Sequence, residues 1–176
     1  MILHTDITGQ GTPLLLIHGL FGSGENLGMI ARLLADRFRV INIDLRNHGR
    51  SGHAPSGYGT REAGDVVDAV AALRERGEIA GPLHVFGVSY GAATALFAAA
   101  DPRLHAERVV ALESFDNAGA AIRDMVPHML DDDGGSWHAQ LTRRWLRWRI
   151  DASVLDAAIV RAGDTLSLPL DGVDVG

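Results

Sequence analysis

Four short apolar runs dominate the chain: Pro13 to Ile17, Phe38 to Leu45, Leu83 to Val88, and Arg108 to Leu112. Each has the length and β-branched content of a strand buried on both faces. Between them lie segments of helical periodicity. Leu27, Ile30, Leu33 and Leu34 recur along residues 26–37, and Val66, Val67, Val70 and Leu73 along residues 60–76. Thr60 stands where it can cap the second helix, and Glu62 and Asp65 suit its positive end. Residues 90–100 are small and apolar throughout, as a helix packed closely on a sheet requires. Residues 2–7 alternate weakly and can add a first strand. Strands alternating with helices through short loops indicate β-α-β units, a mostly parallel central sheet and an α/β sandwich.

The composition permits such a core. Of 176 residues, 47% are hydrophobic and 22% charged, which excludes a chain too polar to fold. The net charge of −6 argues against a nucleic-acid partner bound through phosphate. There is no cysteine, so disulfides, thiolate nucleophiles and cysteine-based zinc sites are absent. The N-terminus lacks the pattern of a secretory signal, and no apolar stretch reaches the roughly 18 residues of a membrane span. The expectation is a cytoplasmic protein with no integral membrane span. No Walker-type loop is present, no dinucleotide fingerprint follows the first strand, and no cofactor is expected.

The residues with the clearest chemistry are Gly87-Val88-Ser89-Tyr90-Gly91, placed between an apolar strand and the small-residue helix. A serine at the apex of such a turn takes a strained backbone conformation that projects its hydroxyl. The Tyr90 amide, at the helix N-terminus, can stabilise a developing oxyanion. The plainer reading is a βα turn in which glycine and serine serve only tightness. A second Gly-rich loop, His18-Gly19-Leu20-Phe21-Gly22-Ser23, follows an earlier strand and can aim the amide of Leu20, or of its neighbour Phe21, at the same oxyanion. His18 itself reads as a structural residue hydrogen-bonded within that loop.

HGLFGS, then DLRNHGRSGH at residues 44–53, then GVSYGA at residues 87–92 resemble the α/β-hydrolase fold superfamily, in the order and spacing of its small bacterial HGLFGS-type esterase branch. The likeness covers residues 1 to about 117. It implies Ser89 as nucleophile and Leu20 and Tyr90 as oxyanion-hole donors. Asp44, Arg46 and His48 fall on the loop that borders the site in this family, and read as structural. Hydrolases of this fold place the acid of the triad after a late strand, and some members directly after the strand that follows the nucleophile helix; here that stretch makes Glu113 the first candidate and Asp116 the second. A solvated acidic loop is the competing reading.

In this family the triad histidine follows the last strand, after a cap and two further βα units. Only His128 and His138 follow the candidate acids, and neither sits after a recognisable strand. His138 opens a segment in which Trp137, Leu141, Trp145 and Trp148 share one helical face. That segment reads as packing of a cap remnant, as a lid, or as a membrane-surface helix, in falling order, and His138 is a weak candidate for the base. The expectation is a truncated member. Residues 1–117 form the N-terminal part of the hydrolase core, and residues 118–176 a helical cap-like remnant. The function expected is hydrolysis of small carboxylic esters or thioesters through an acyl-enzyme on Ser89, impaired by the lack of the C-terminal histidine. The alternative is an inactive hydrolase-fold module with a binding role or none. An exposed sheet edge would offer a surface for self-association.

Overall fold

The computed structural model describes residues 2–117 and 119–121. The chain divides into two units, Met1–Phe115 and Asp116–Gly176. In the first unit the elements run β1 (Thr5–Thr8), β2 (Thr12–Ile17), α1 (Gly24–Leu34), β3 (Phe38–Ile43), α2 (Thr60–Glu75), β4 (Leu83–Val88), α3 (Tyr90–Ala99) and β5 (Ala106–Leu112), with a short 3₁₀ turn at Pro102–Leu104 before β5. They build one five-stranded sheet in the order β1-β3-β2-β4-β5. β1 pairs antiparallel with β3, and the other pairings are parallel. This is the mostly parallel α/β sheet that the alternation of runs requires.

The apolar run of β2 explains why helices cover both faces. Leu14 and Leu16 point one way and pack with Val40, Leu27 and Ala31, the last two from α1. Leu15 and Ile17 point the other way into a larger core with Ile41, Ile43, Val85, the valines of α2, and Tyr90, Ala95 and Ala98 of α3. Period-two alternation along a strand sends neighbours to opposite faces, so an unbroken apolar run suits only a strand buried on both sides.

Two local expectations change. α1 begins at Gly24, two residues earlier than the apolar spacing predicts. The reason is remote: the Gly24 amide donates to Asp44 Oδ1 at 2.7 Å, and Asn42 Nδ2 donates to the Gly24 carbonyl at 2.6 Å. β3 and the loop after it therefore grip the helix start from both sides. Thr60, in turn, does not cap α2; its hydroxyl donates back to the Gly57 carbonyl. Glu62 does the capping, accepting from the Gly59 amide at 2.8 Å.

β5 also differs from its reading as a buried strand. Among the described residues it is the sheet's edge, with Val110 and Leu112 exposed at 55% and 49%. In the second unit the described residues show a helix start, where Asn117 Oδ1 accepts from the Ala120 amide at 2.9 Å. The Trp-rich segment, His128 and the cap-like reading of residues 118–176 otherwise lie outside the described residues. Among the described residues, no helix is long and apolar enough to cross a membrane.

Candidate active site

Ser89 joins β4 to α3 with φ 53° and ψ −114°. A side chain crowds the backbone at positive φ, so a non-glycine residue there is held by its surroundings. Those surroundings are specific. The Ser89 amide donates to the Leu112 carbonyl at 2.8 Å, and the Ser89 carbonyl accepts from Ala92 and Ala93 at 2.9 and 3.1 Å. The strand is thus tied to β5 on one side of the serine and the helix is closed on the other.

The two flanking glycines make the turn sterically achievable. A Cβ on Gly87 would overlap the Gly91 carbonyl oxygen, and a Cβ on Gly91 would overlap the Ile17 carbonyl oxygen. The start of α3 therefore lies directly on the end of β2. That contact brings the loop after β2 to the serine. A Cβ placed on Gly19 would stand 3.6 Å from Ser89 Cβ. Leu20 N, two bonds beyond Gly19 Cα, falls within about 10 Å of the serine. Among the described residues the amides of Leu20, Phe21 and Tyr90 have no hydrogen-bond acceptor. Phe21 has φ 61° and its ring is exposed. Ser89 Oγ likewise has no hydrogen-bond partner among the described residues.

His18 is buried to 1% exposure, and both ring nitrogens are engaged. The Gly19 carbonyl can only accept, so Nδ1–H donates to it at 2.8 Å. The Leu45 amide can only donate, so Nε2 accepts from it at 3.1 Å. The ring is thereby the neutral Nδ1–H tautomer. Burial first, and then the neighbouring His48, hold its pKa below the ordinary value of 6.5, against the opposing pull of the Gly19 carbonyl and Asp44.

The loop after β3 is held by local polar contacts, as its sequence suggests. Asp44 Oδ2 accepts from the Arg50 amide at 2.8 Å. Arg46 Nε pairs with Asp65 at 2.7 Å, and its other nitrogens donate to the carbonyls of Pro55 and Arg61. His48 Nδ1 donates to the Arg46 carbonyl at 2.7 Å. Its ring centroid lies 5.0 Å from that of His18 and 6.0 Å from that of Tyr90.

A buried polar chain behind the serine has no counterpart in the sequence reading. Glu62 is 0% exposed and accepts from the Ser56 hydroxyl at 2.9 Å and from the Gly57 and Gly59 amides at 3.0 and 2.8 Å. Ser56 has one hydroxyl proton and gives it to Glu62, so the Tyr90 hydroxyl, 2.8 Å away, must donate to Ser56. Burial disfavours the Glu62 charge. The Gly57 amide, its own amide and the Ser56 hydroxyl overcome that, leaving its pKa below the usual 4.5. The signal that could have found this chain is Glu62 three residues into a helix that starts after glycine.

Glu113 follows β5 directly. It is exposed and has φ 56°, another left-handed residue that is not glycine. The register Val88↔Leu112 sets Glu113 beside Ser89 at the same end of the sheet. Asp116 opens the second unit and is exposed. His138 lies outside the described residues. Among the described residues no three His, Asp or Glu side chains gather as metal ligands.

The family model for the alpha/beta hydrolase fold matches residues 12–162. Esterase YbfF of Escherichia coli (strain K12) is 43% identical over 63 residues, which are 36% of this chain and 25% of that protein. A solved marine microorganism esterase superposes with a TM-score of 0.55 at 26% identity, covering 90% of this chain and 62% of its own. The structure of E-2-(acetamidomethylene)succinate hydrolase gives 0.59 at 27% identity, covering 71% of this chain and 46% of its own. The chain spans only part of the length of each of these relatives.

Proposed function

The chain belongs to the α/β-hydrolase fold family, and from that premise we propose that Ser89 is the nucleophile of a carboxylic ester or thioester hydrolase. The observation that carries this reading is the strained backbone of Ser89, at φ 53°, on the strand–helix turn that abuts Gly19. A left-handed serine at such a turn presents its hydroxyl to whatever occupies the end of the sheet.

In this reading Ser89 Oγ attacks the acyl carbon of a small ester or thioester. Its proton passes to a base, and the carbonyl oxygen becomes an oxyanion. The unpartnered amides of Leu20 or Phe21 and of Tyr90 receive that charge. Collapse breaks the bond to the alcohol or thiol, which leaves protonated. Water then attacks the acyl-enzyme and releases the acid, returning the proton to Ser89. Glu113 is the candidate acid, being the residue that follows β5 where its last residue pairs with the end of β4, with Asp116 second. No histidine among the described residues hydrogen-bonds Ser89 Oγ. The base then falls to His138, outside the described residues, or is lacking.

The test uses p-nitrophenyl acetate and p-nitrophenyl butyrate with the purified chain. The expected result is slow, Ser89-dependent release of p-nitrophenol and an acyl mass increment on the peptide that contains Ser89. An increment on another residue, or none with either ester while Ser89→Ala behaves identically, would remove Ser89 as nucleophile. His138→Ala without effect would exclude His138 as base. An active chain abolished by that substitution would establish it.

A further inference from the structure

We propose that His18 is a positioning residue that fixes the Gly19–Leu20 peptide and so aims the Leu20 N–H at the Ser89 adduct, an inference that rests on the hydrolase reading of Ser89. The argument begins with the peptide plane. In a trans peptide the C=O of one residue and the N–H of the next point in opposite directions. Among the described residues no peptide bond is cis, so the direction of the Gly19 carbonyl sets that of the Leu20 amide. Two donors hold that carbonyl: His18 Nδ1–H at 2.8 Å and the Gly22 amide at 3.1 Å. Turning the Leu20 amide elsewhere would break both bonds.

A glycine-rich loop needs such a hold. Gly19 and Gly22 have wide backbone freedom, and an untethered amide here would sample many directions. Electrostatic stabilisation depends on donors fixed before the charge appears. His18 can fix this one because its own ring cannot rotate. Nε2 is bound to the Leu45 amide, which belongs to the segment leaving β3. The ring therefore bridges the ends of two adjacent parallel strands, β2 and β3, and passes their rigidity to the loop. The Leu20 amide itself keeps no acceptor among the described residues. Gly19 meanwhile faces Ser89 Cβ.

The test separates the two bonds of the ring. In His18→Asn the side-chain amide nitrogen can replace Nδ1 and donate to Gly19, while the bond to Leu45 is lost. In His18→Gln the side chain can replace Nε2 and accept from Leu45, while the bond to Gly19 is lost. Each variant forfeits one of the ring's two hydrogen bonds, and the one to Leu45 is the more deeply buried, so a purely structural role predicts that His18→Asn suffers at least as much as His18→Gln. The probe is an alkyl fluorophosphonate. Ser89 Oγ forms a bond to phosphorus, the P–F bond breaks, fluoride leaves and the serine proton goes to solvent. The phosphoryl oxygen then occupies the place of the oxyanion. Labelling is followed by intact mass, with Ser89→Ala as the blank, and folding by circular dichroism.

The expected result is a maximal labelling rate lowered at least tenfold in His18→Gln, with half-saturation unchanged, and a rate within about threefold of the parent in His18→Asn. Equal rates in the two folded variants would overturn the proposal. A second readout does not need a reactive serine: the Leu20 amide resonance in ¹⁵N-labelled protein. It should move in His18→Gln and stay near its original position in His18→Asn. An unmoved resonance in both overturns the proposal. If the parent chain itself fails to label while the resonance responds as expected, the positioning role of His18 stands and the Ser89 reading fails.

Discussion

The Ser89 amide donates to the Leu112 carbonyl at 2.8 Å, which ties the apex of the strand–helix turn to the last residue of β5. Glu113, the next residue, is at φ 56°. Two adjacent strand ends thus carry non-glycine residues in the left-handed region, at the end of the sheet where open α/β folds gather ligands. Left-handed backbone costs about 1 kcal/mol for a side chain with a Cβ. Glu113→Gly is expected to raise stability by about that amount, measured by urea unfolding, while lowering Ser89-dependent ester turnover. Glu113→Gln should lower turnover with little change in stability. Unaltered turnover in both would transfer the acid to Asp116 or leave the site without one.

The contact between Gly91 and the end of β2 yields a steric prediction. A methyl group on Gly91 would overlap backbone oxygens of Ile17 and His18, and a strand end pinned within a parallel sheet cannot step aside. Gly91→Ala is expected to cost about 3 kcal/mol or to prevent folding. Gly64→Ala, on α2, meets nothing within 4 Å and should be neutral or slightly stabilising. The pair is compared by thermal unfolding. Equal melting temperatures would show that α3 shifts to accept the methyl, and with it that the turn at Ser89 is not rigid.

The order of strands and helices is legible from apolar runs because burial on both faces leaves no alternation to misread. The turn at Ser89 is legible because its flanking glycines answer a local need for close approach. The remaining features depend on partners distant in sequence. Arg108 to Leu112 looks like a buried strand, yet among the described residues strand order places it at the edge, and nothing within the run encodes which neighbours it has. The start of α1 depends on Asn42 and Asp44, some twenty residues away. His18 shows no sign of its bond to Leu45, since that bond exists only because β2 and β3 end side by side. Glu62 shows its helix-start position but not the Tyr90 and Ser56 hydroxyls that complete its surroundings.

The tautomer of His18 has a consequence for stability. Its folded pKa lies below 6.5, chiefly through burial, with His48 adding to the effect. As pH falls through 6.5 the unfolded chain takes up a proton that the folded ring still refuses. Stability from the neutral ring is therefore complete above 6.5 and is lost as the pH falls towards the folded value, by at most about 1.4 kcal/mol per pH unit. Urea midpoints at about pH 7.5 and pH 5.5 should fall in the parent chain, and fall less in His18→Asn. Equal slopes would mean that His18 is not the group responsible. Glu62 does not enter this window, because its contribution is lost only as pH falls below 4.5 towards its depressed folded value.

The chain Tyr90–Ser56–Glu62 makes the last forecast, because its donor directions are fixed. Tyr90 donates to Ser56, Ser56 donates to Glu62, and two loop amides complete the carboxylate's surroundings. Burial, and then the Glu62 charge, push the ionisation of Tyr90 far above its usual range, so the phenol remains a donor. Tyr90→Phe removes the first donor and leaves Ser56 still bound to Glu62, at a cost of about 1–2 kcal/mol. Glu62→Gln is more severe. Its amide group turns a donor towards amides and a hydroxyl that also donate, and it leaves Arg46, 4.0 Å away, with one fewer negative neighbour. The expected loss is about 3 kcal/mol. Because the two residues act through one hydroxyl, the double variant should lose less than the sum of the singles by at least about 0.5 kcal/mol. Additive losses in urea unfolding would show that Tyr90 and Glu62 are held independently and that Ser56 does not connect them.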